Sequence, residues 1–184
     1  MGTHIRTLRY KEVDFLNPDL SEVSIQDIID SLVNVNRFTG HTLRPYPVLE
    51  HLIRCHDQAE LEGRGTEARK SALMHDTPEF AVTDVASPLK QLIPDYRKYE
   101  DLMERAIEKR FNFKVIRSLY KDIDIIACRT ESVALRTKAR LVNTYDWDFS
   151  KLRGFDYDRN NHLAWCDNLK KEFLITFKEL FPNE

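Results

Sequence analysis

Residues 47–79 read PVLEHLIRCHDQAELEGRGTEARKSALMHDTPE. Pro47 suits the first turn of a helix, where its missing N–H would have no intrahelical partner anyway. Val48, Leu49, Leu52, Cys55 and Ala59 recur at helical spacing, and Gly63 and Gly65 end the run. A second helix follows from Thr66 through Ala68, Ala72 and Leu73 to His75, where Pro78 stops it. Two consecutive helices with no alternating apolar pattern point to an all-α fold.

The flanks carry the same period. Ser24 can cap a helix with Ile25, Ile28, Ile29, Leu32 and Val33 on its apolar positions. A break is expected around Thr39-Gly40 and Pro45-Tyr46-Pro47, and an irregular stretch from Glu79 to Ile93. Pro94 opens a helix with Tyr99, Leu102, Met103, Ala106 and Ile107 on one face. Another spans about Ile116 to Leu135, and a last one Asn160 to Phe181, striped by Leu163, Cys166, Leu169, Phe173 and Phe177. Asn143 to Arg159 reads as a long loop rich in aromatic residues and Asp, and with Trp165 its Tyr145 and Trp147 read as core or interface. No strand pattern, internal repeat or second-domain linker appears, so residues 1–184 read as a single domain.

Composition narrows the function classes. At 184 residues, 42% hydrophobic and 32% charged, the chain is an ordinary globular protein. A net charge of −2 supplies no global basic field, which argues against a polymeric nucleic acid and leaves a small phosphorylated ligand open. Cys55, Cys128 and Cys166 are odd in number and contain no CxxC, so neither a disulfide framework nor a thiolate zinc site is expected, and a reducing cytoplasm fits. No apolar run approaches the ~20 residues of a membrane span, and Met1 to Tyr10 lacks a signal-peptide core. With five glycines and no Gly-rich loop, phosphate chemistry would fall to side chains or a metal.

His-Asp pairs occur twice, at His56-Asp57 and His75-Asp76, where six His and sixteen Asp give about half a pair by chance. Context separates them. His56-Asp57 lies inside a helix, whose successive side chains point about 100° apart, and reads as a helix-flank pair. His75-Asp76 sits where Pro78 ends a helix, so the two side chains can converge. A buried carboxylate beside a buried imidazole is costly unless paired or metallated. Imidazole with carboxylate suits zinc, manganese, iron or cobalt, with magnesium possible if water completes the shell. His51, near the apolar face of its helix, is the upstream ligand candidate. Asp124 is the downstream one, on a face with Ala127, Cys128 and Glu131, while Asp122 lies roughly 160° away and faces solvent. Each alone is more ordinarily a core or surface residue; together, two His and two Asp from three helices suit an open-sided octahedral site. Glu79 and Asp84, in the irregular stretch, can orient or deprotonate a water there, or can be solvated loop acids. Lys90 and Arg37 can neutralise phosphate, or can be surface cations.

The order and spacing of His75-Asp76-Thr77-Pro78-Glu79, Asp84-Val85, Pro88-Leu89-Lys90 and Asp95-Tyr96-Arg97 resemble the small HD-domain phosphohydrolases. Bacterial 5′-deoxynucleotidases and phage-encoded deoxynucleotide phosphohydrolases, dATP triphosphohydrolases among them, are the groups most alike. Asn36-Arg37-Phe38-Thr39-Gly40-His41, Tyr46-Pro47-Val48-Leu49-Glu50-His51 and Asp124 with Glu131 extend the likeness over about residues 17–135, leaving a C-terminal loop and helix at 136–184. The resemblance implies an all-α, single-domain HD-type helical bundle, a homo-oligomer (dimer or hexamer), and one divalent metal held by His51, His75, Asp76 and Asp124. It implies Glu79 as the catalytic acid, with Asp84 near the scissile phosphate. Arg37 and Lys90 would contact phosphate, Phe38 would pack on the sugar where deoxynucleotidases carry a tryptophan, and Pro88 would lie near base or sugar. Two departures stand out. Phe38 is smaller than tryptophan, which bears on exclusion of a ribose 2′-hydroxyl, and Leu49, Leu52 and Ile53 replace small or polar residues around His51. The expected activity is release of a deoxynucleoside from a mono- or triphosphate. The alternatives are an inactive nucleotide-binding HD module, a phosphodiesterase on cyclic or linear nucleotides, and a structural helical module.

Overall fold

The computed structural model describes residues 2–136, 152, 153 and 155–184. Tyr145 and Trp147 lie outside these residues. Helices dominate: α1 (Ile25–Leu32), α2 (Val48–Leu61), α3 (Thr66–Met74), α4 (Glu79–Val82), α5 (Ser87–Lys90), α6 (Pro94–Arg110), α7 (Arg117–Ala134) and α8 (His162–Leu180). The fold is mainly α, as the periodicity requires.

Local chemistry explains the boundaries. Ser24 caps α1 through a reciprocal box. Its Oγ accepts from the Asp27 N–H at 3.3 Å, and the Asp27 carboxylate accepts from the Ser24 N–H at 3.0 Å. Pro47 stands one residue outside α2 as its N-cap. The helix α3 ends at Met74, with the Thr77 hydroxyl donating to the freed Met74 carbonyl at 2.6 Å.

Two expectations need correction. The stretch 79–93 is not wholly irregular, because α4 and α5 each close one helical turn there. Pro78 is the N-cap of α4 and Pro88 lies in the first turn of α5, where no intrahelical N–H is needed, so the prolines start these turns and Pro78 does more than end α3. A short antiparallel hairpin also precedes the helices. Its strands β1 (His4–Arg6) and β2 (Glu12–Asp14) pair Ile5 with Val13. Three residues per strand are too few to show an alternating pattern, and of the six only Val13 is fully buried.

Packing then places the helices. α2 is buried nearly all round and feeds two apolar clusters. Val48, Leu49, Leu52 and Ile53 join the larger one, with Leu73, Met74, Met103, Ile107, Phe173 and Phe177. Cys55 and Ala59 join the smaller, with Ala72, Tyr120, Ile123 and Ala127. The helices α2, α3 and α7 therefore pack against one another. Small residues on α3 and α7 (Ala72, Ala127) allow the close approach. His56 is buried on the flank of α2, and Asp57 accepts from Arg153 Nε at 2.8 Å. Arg153 also reaches Glu172 and Thr176, so it fastens its segment to α2 and α8.

The hairpin is tied to α1 by the Thr7 hydroxyl, which donates to Asp27 Oδ1 at 2.7 Å. Burial pushes the Asp27 carboxyl up, but the hydrogen bonds from Ser24 and Thr7 outweigh it and hold the group below the usual range. A depressed carboxylate stabilises the fold above its unfolded pKa, and that contribution is lost as pH falls through the folded value. Asp27→Asn is expected to cost about 1 kcal/mol at neutral pH, with the deficit closing as pH drops below ~4. Urea unfolding of both proteins across that range checks it.

Candidate metal centre

Four side chains named from the sequence converge where α2, α3 and α7 meet. His51 comes from the second turn of α2, His75 and Asp76 from the residues just past α3, and Asp124 from the middle of α7. One ligand atom from each lies within 4.8 Å of all the others, so the group could hold a metal ion. His51 Nε2 stands 3.3 Å from His75 Nε2, 3.6 Å from Asp76 Oδ2 and 3.5 Å from Asp124 Oδ1. His75 Nε2 stands 3.4 Å from Asp76 Oδ2 and 3.8 Å from Asp124 Oδ1. Donors bound near 2.1 Å from one cation would stand ~3.0 Å apart at the right angle of an open-sided octahedron and ~3.4 Å apart at a tetrahedral angle. The donor set therefore fits a cation.

Both imidazoles are oriented from behind. His51 Nδ1 lies 2.8 Å from Glu131 Oε1, and His75 Nδ1 lies 3.0 Å from the Ala72 carbonyl. An acceptor at each Nδ1 calls for the N–H there, so that each Nε2, on shedding its proton, offers a lone pair inward, the arrangement of metal-ligating histidines. Glu131 is fully buried and also accepts from the Tyr46 hydroxyl at 2.8 Å. Asp124 turns Oδ2 to Lys121 Nζ at 2.5 Å, which leaves Oδ1 toward the histidines.

Arg37 corrects an expectation. It is a buried cation, not a surface one. Phe38 and Thr39 both take positive φ (58° and 53°), and the tight turn they form sets Arg37 against the acids. Its NH1 is 3.0 Å from Asp76 Oδ2, and its Nε faces Glu131 Oε2 at 3.4 Å. A left-handed backbone at the β-branched Thr39 is costly and persists only where its surroundings enforce it.

Charge crowding governs the titration of the group. Burial opposes the His75 imidazolium, but Asp76 and Asp124 raise it to about 10. Burial and Arg37 oppose the His51 imidazolium, yet contacts including Glu131 and Asp124 carry it well above the ordinary value. Burial pushes Asp76 and Asp124 up, and the adjoining histidines pull both below the usual carboxylate range. Glu79 goes the other way: burial first, then Asp76 and Asp84, raise it well above an ordinary glutamate.

Glu79 opens α4 and is nearly fully buried. Its Oε1 is 3.7 Å from Lys90 Nζ, and its Oε2 is buried without a hydrogen-bond partner among the described residues. Lys90 ends α5 and is held by Glu100 at 2.6 Å. These residues line two adjoining cavities. One, of about 430 Å³, contains His75, Asp76, Glu79, Lys90, Tyr120 and Asp124 in its wall. The other, of about 320 Å³, contains Arg37, Asp76, Glu79, Asp84, Lys90 and Asp124.

Not every expected residue is gathered there. Phe38 packs instead beside Tyr46 and Arg136, and Pro88 is exposed on α5; neither lines the two cavities. Asp122 points to solvent and pairs with Arg64, as its helical position requires. The sequence reading gave no role to Tyr46, Tyr120 or Glu131. Of these, only Glu131 carried a signal, its helical spacing from Asp124.

No protein-family model matches the chain. It is 34% identical over 119 residues to the Uncharacterized protein YfdR of Escherichia coli, across 64% of this chain and 63% of that protein. An uncharacterized protein of Rhodobacter capsulatus is 29% identical over 137 residues, across 69% of this chain and 70% of that one. The chain thus matches a little under two thirds of the first relative's length. Neither printed name assigns an activity.

Glu131→Ala is expected to weaken divalent-metal affinity by about 10–100-fold, because His51 loses the acceptor that fixes its ring. Asp122→Ala is expected to leave it unchanged. Calorimetric titration of metal-stripped protein with zinc or manganese checks both.

Proposed function

We propose that this chain is a metal-dependent phosphohydrolase of the HD type that releases deoxynucleosides from deoxynucleotide phosphoesters. The observation that carries this reading is one juxtaposition. A four-donor His/Asp group adjoins a buried glutamate with an unpartnered oxygen, and both line cavities that also hold a lysine and an arginine. The resemblance of His75-Asp76-Thr77-Pro78-Glu79 and its flanking motifs to small HD phosphohydrolases supplies the substrate class.

His51, His75, Asp76 and Asp124 would hold one divalent ion, with zinc, manganese, cobalt or iron suited to two imidazoles and two carboxylates, and magnesium possible. Bound there, such an ion supplies a Lewis acid for a phosphoryl oxygen and lowers the pKa of water. Glu79 orients the attacking water, and its free Oε2 accepts the proton as the water oxygen bonds to phosphorus. Burial and the neighbouring carboxylates raise the proton affinity of Glu79, which favours holding a proton taken from water. The bond from phosphorus to the sugar oxygen breaks, and the proton passes on to that oxygen. Lys90 and Arg37 offset charge on the phosphoryl group. Asp84, raised by burial and by Asp76, adds a second proton-holding carboxyl on the same wall. Attack at the phosphorus next to the sugar frees phosphate from a monophosphate and triphosphate from a triphosphate.

A homo-oligomeric state and a cytoplasmic location belong to the same proposal. Among the described residues, no helix is long and apolar enough to cross a membrane.

A panel of ribo- and deoxynucleotide mono-, di- and triphosphates, assayed with added manganese, cobalt or zinc and with products resolved, tests the reading. Release of deoxynucleoside is the expected result; no hydrolysis with any ion overturns it. Glu79→Ala is expected to keep its metal and lose about 10²-fold in turnover. Asp76→Ala is expected to lose metal and activity together. Elemental analysis beside the rate measurement separates the two variants.

A further inference from the structure

Tyr120 lies on α7 one turn before Asp124, and so on the same helix face. Its ring stacks on His75, with centroids 4.5 Å apart and planes 30° from parallel. The residue is only 6% exposed and packs with Cys55, Ala59, Ala72 and Ala127. A tyrosine buried this deeply normally hydrogen-bonds its hydroxyl. Here the hydroxyl makes no hydrogen bond among the described residues and is not fully enclosed, and Asp76, Glu104 and Asp124 as well as the cation Arg117 place their charges near it. Tyr120 also lines the cavity of about 430 Å³ together with His75, Asp76, Glu79 and Asp124. Its apolar face is thus fully used while its polar end is left over beside the donor group.

We propose that Tyr120 is a catalytic, substrate-contacting residue whose hydroxyl donates a hydrogen bond to a phosphoryl oxygen of the bound phosphoester. This rests on the function proposed above. The phenol shares a cavity wall with His75, Asp76 and Asp124, the wall against which a phosphoester held by that group would lie. A phenol ordinarily keeps its proton at physiological pH and so can donate. Tyr120 makes and breaks no bond. It adds a neutral donor to the charged ones, Lys90 and Arg37, around the phosphoryl group.

Tyr120→Phe keeps the stacked ring and removes only the hydroxyl. Manganese-loaded wild-type and variant proteins are compared in three measurements: metal stoichiometry, affinity for inorganic phosphate by calorimetry, and kcat/KM on the best nucleotide of the panel. The expected result is unchanged metal content, with phosphate affinity and kcat/KM each lower by about tenfold. If both values stay within about twofold of wild type, the hydroxyl contacts no phosphate and the proposal falls. If the variant instead loses metal, Tyr120 positions His75 and the proposal also falls. A wild-type protein that takes up metal yet binds no phosphate and hydrolyses no nucleotide sinks the proposed function, and this inference with it. An active wild type with an equally active variant sinks only the inference.

Discussion

Ionised groups removed from water must find partners, and in this protein they find them in one another. His51, His75, Arg37 and Glu131 are buried, and Asp76 and Asp124 are largely so, all where α2, α3 and α7 meet. Carboxylates this close to one another would repel at several kcal/mol in a low-dielectric interior. The imidazoles and the Arg37 guanidinium offset that repulsion. A divalent ion at the four inward donors would take over that role from the imidazolium protons with one compact charge. The geometry of α2, α3 and α7 is therefore tied to the electrostatics of their junction: separating the helices would strand the charges.

The supporting contacts follow from that constraint. Glu131 sits two turns beyond Asp124 on the same face of α7, so one helix presents both a donor to the cluster and the acceptor that orients His51. Tyr46 donates to the same Glu131 oxygen from the strap that leads into α2. The strap is pinned by the Arg37 N–H to the Tyr46 carbonyl at 2.9 Å and by the Val48 N–H to the Val35 carbonyl at 2.8 Å. Those bonds hold the positive-φ turn at Phe38 and Thr39, which in turn keeps Arg37 beneath the acids. The leucines and isoleucine around His51 fit this picture. Leu49, Leu52 and Ile53 face the larger cluster and anchor α2, while His51 looks toward α3 and α7.

One acid in the group is held differently. Asp76, Asp124 and Glu131 are all pulled toward the charged form by nearby cations. Glu79 is pushed toward the protonated form, with Lys90 at 3.7 Å only partly compensating. Carboxyl groups with such divergent proton affinities within one site would divide, in the proposed reaction, into ligands and a proton carrier. The division rests on position. Glu79 starts α4 after the Pro78 turn and meets Asp76 and Asp84, whereas the ligand carboxylates meet the histidines.

Local sequence was enough for the helices and for much of the donor set. The 3.6-residue period, the Ser24 cap and the prolines at 47 and 94 mark elements through interactions within a few residues, and such interactions are readable along the chain. The choice of His75-Asp76 over His56-Asp57, and of Asp124 over Asp122, likewise followed from helix geometry. The three-residue strands, the short helices α4 and α5, the inward turn of Arg37, and the places of Phe38 and Pro88 away from the cavity walls were settled only in three dimensions. So were the contacts of Glu131, Tyr46 and Tyr120. Most of these features depend on a partner distant along the chain or on a backbone conformation that no single residue type dictates. A sequence records which side chains are available; burial, and the company a charge keeps once water is gone, exist only after the helices have packed.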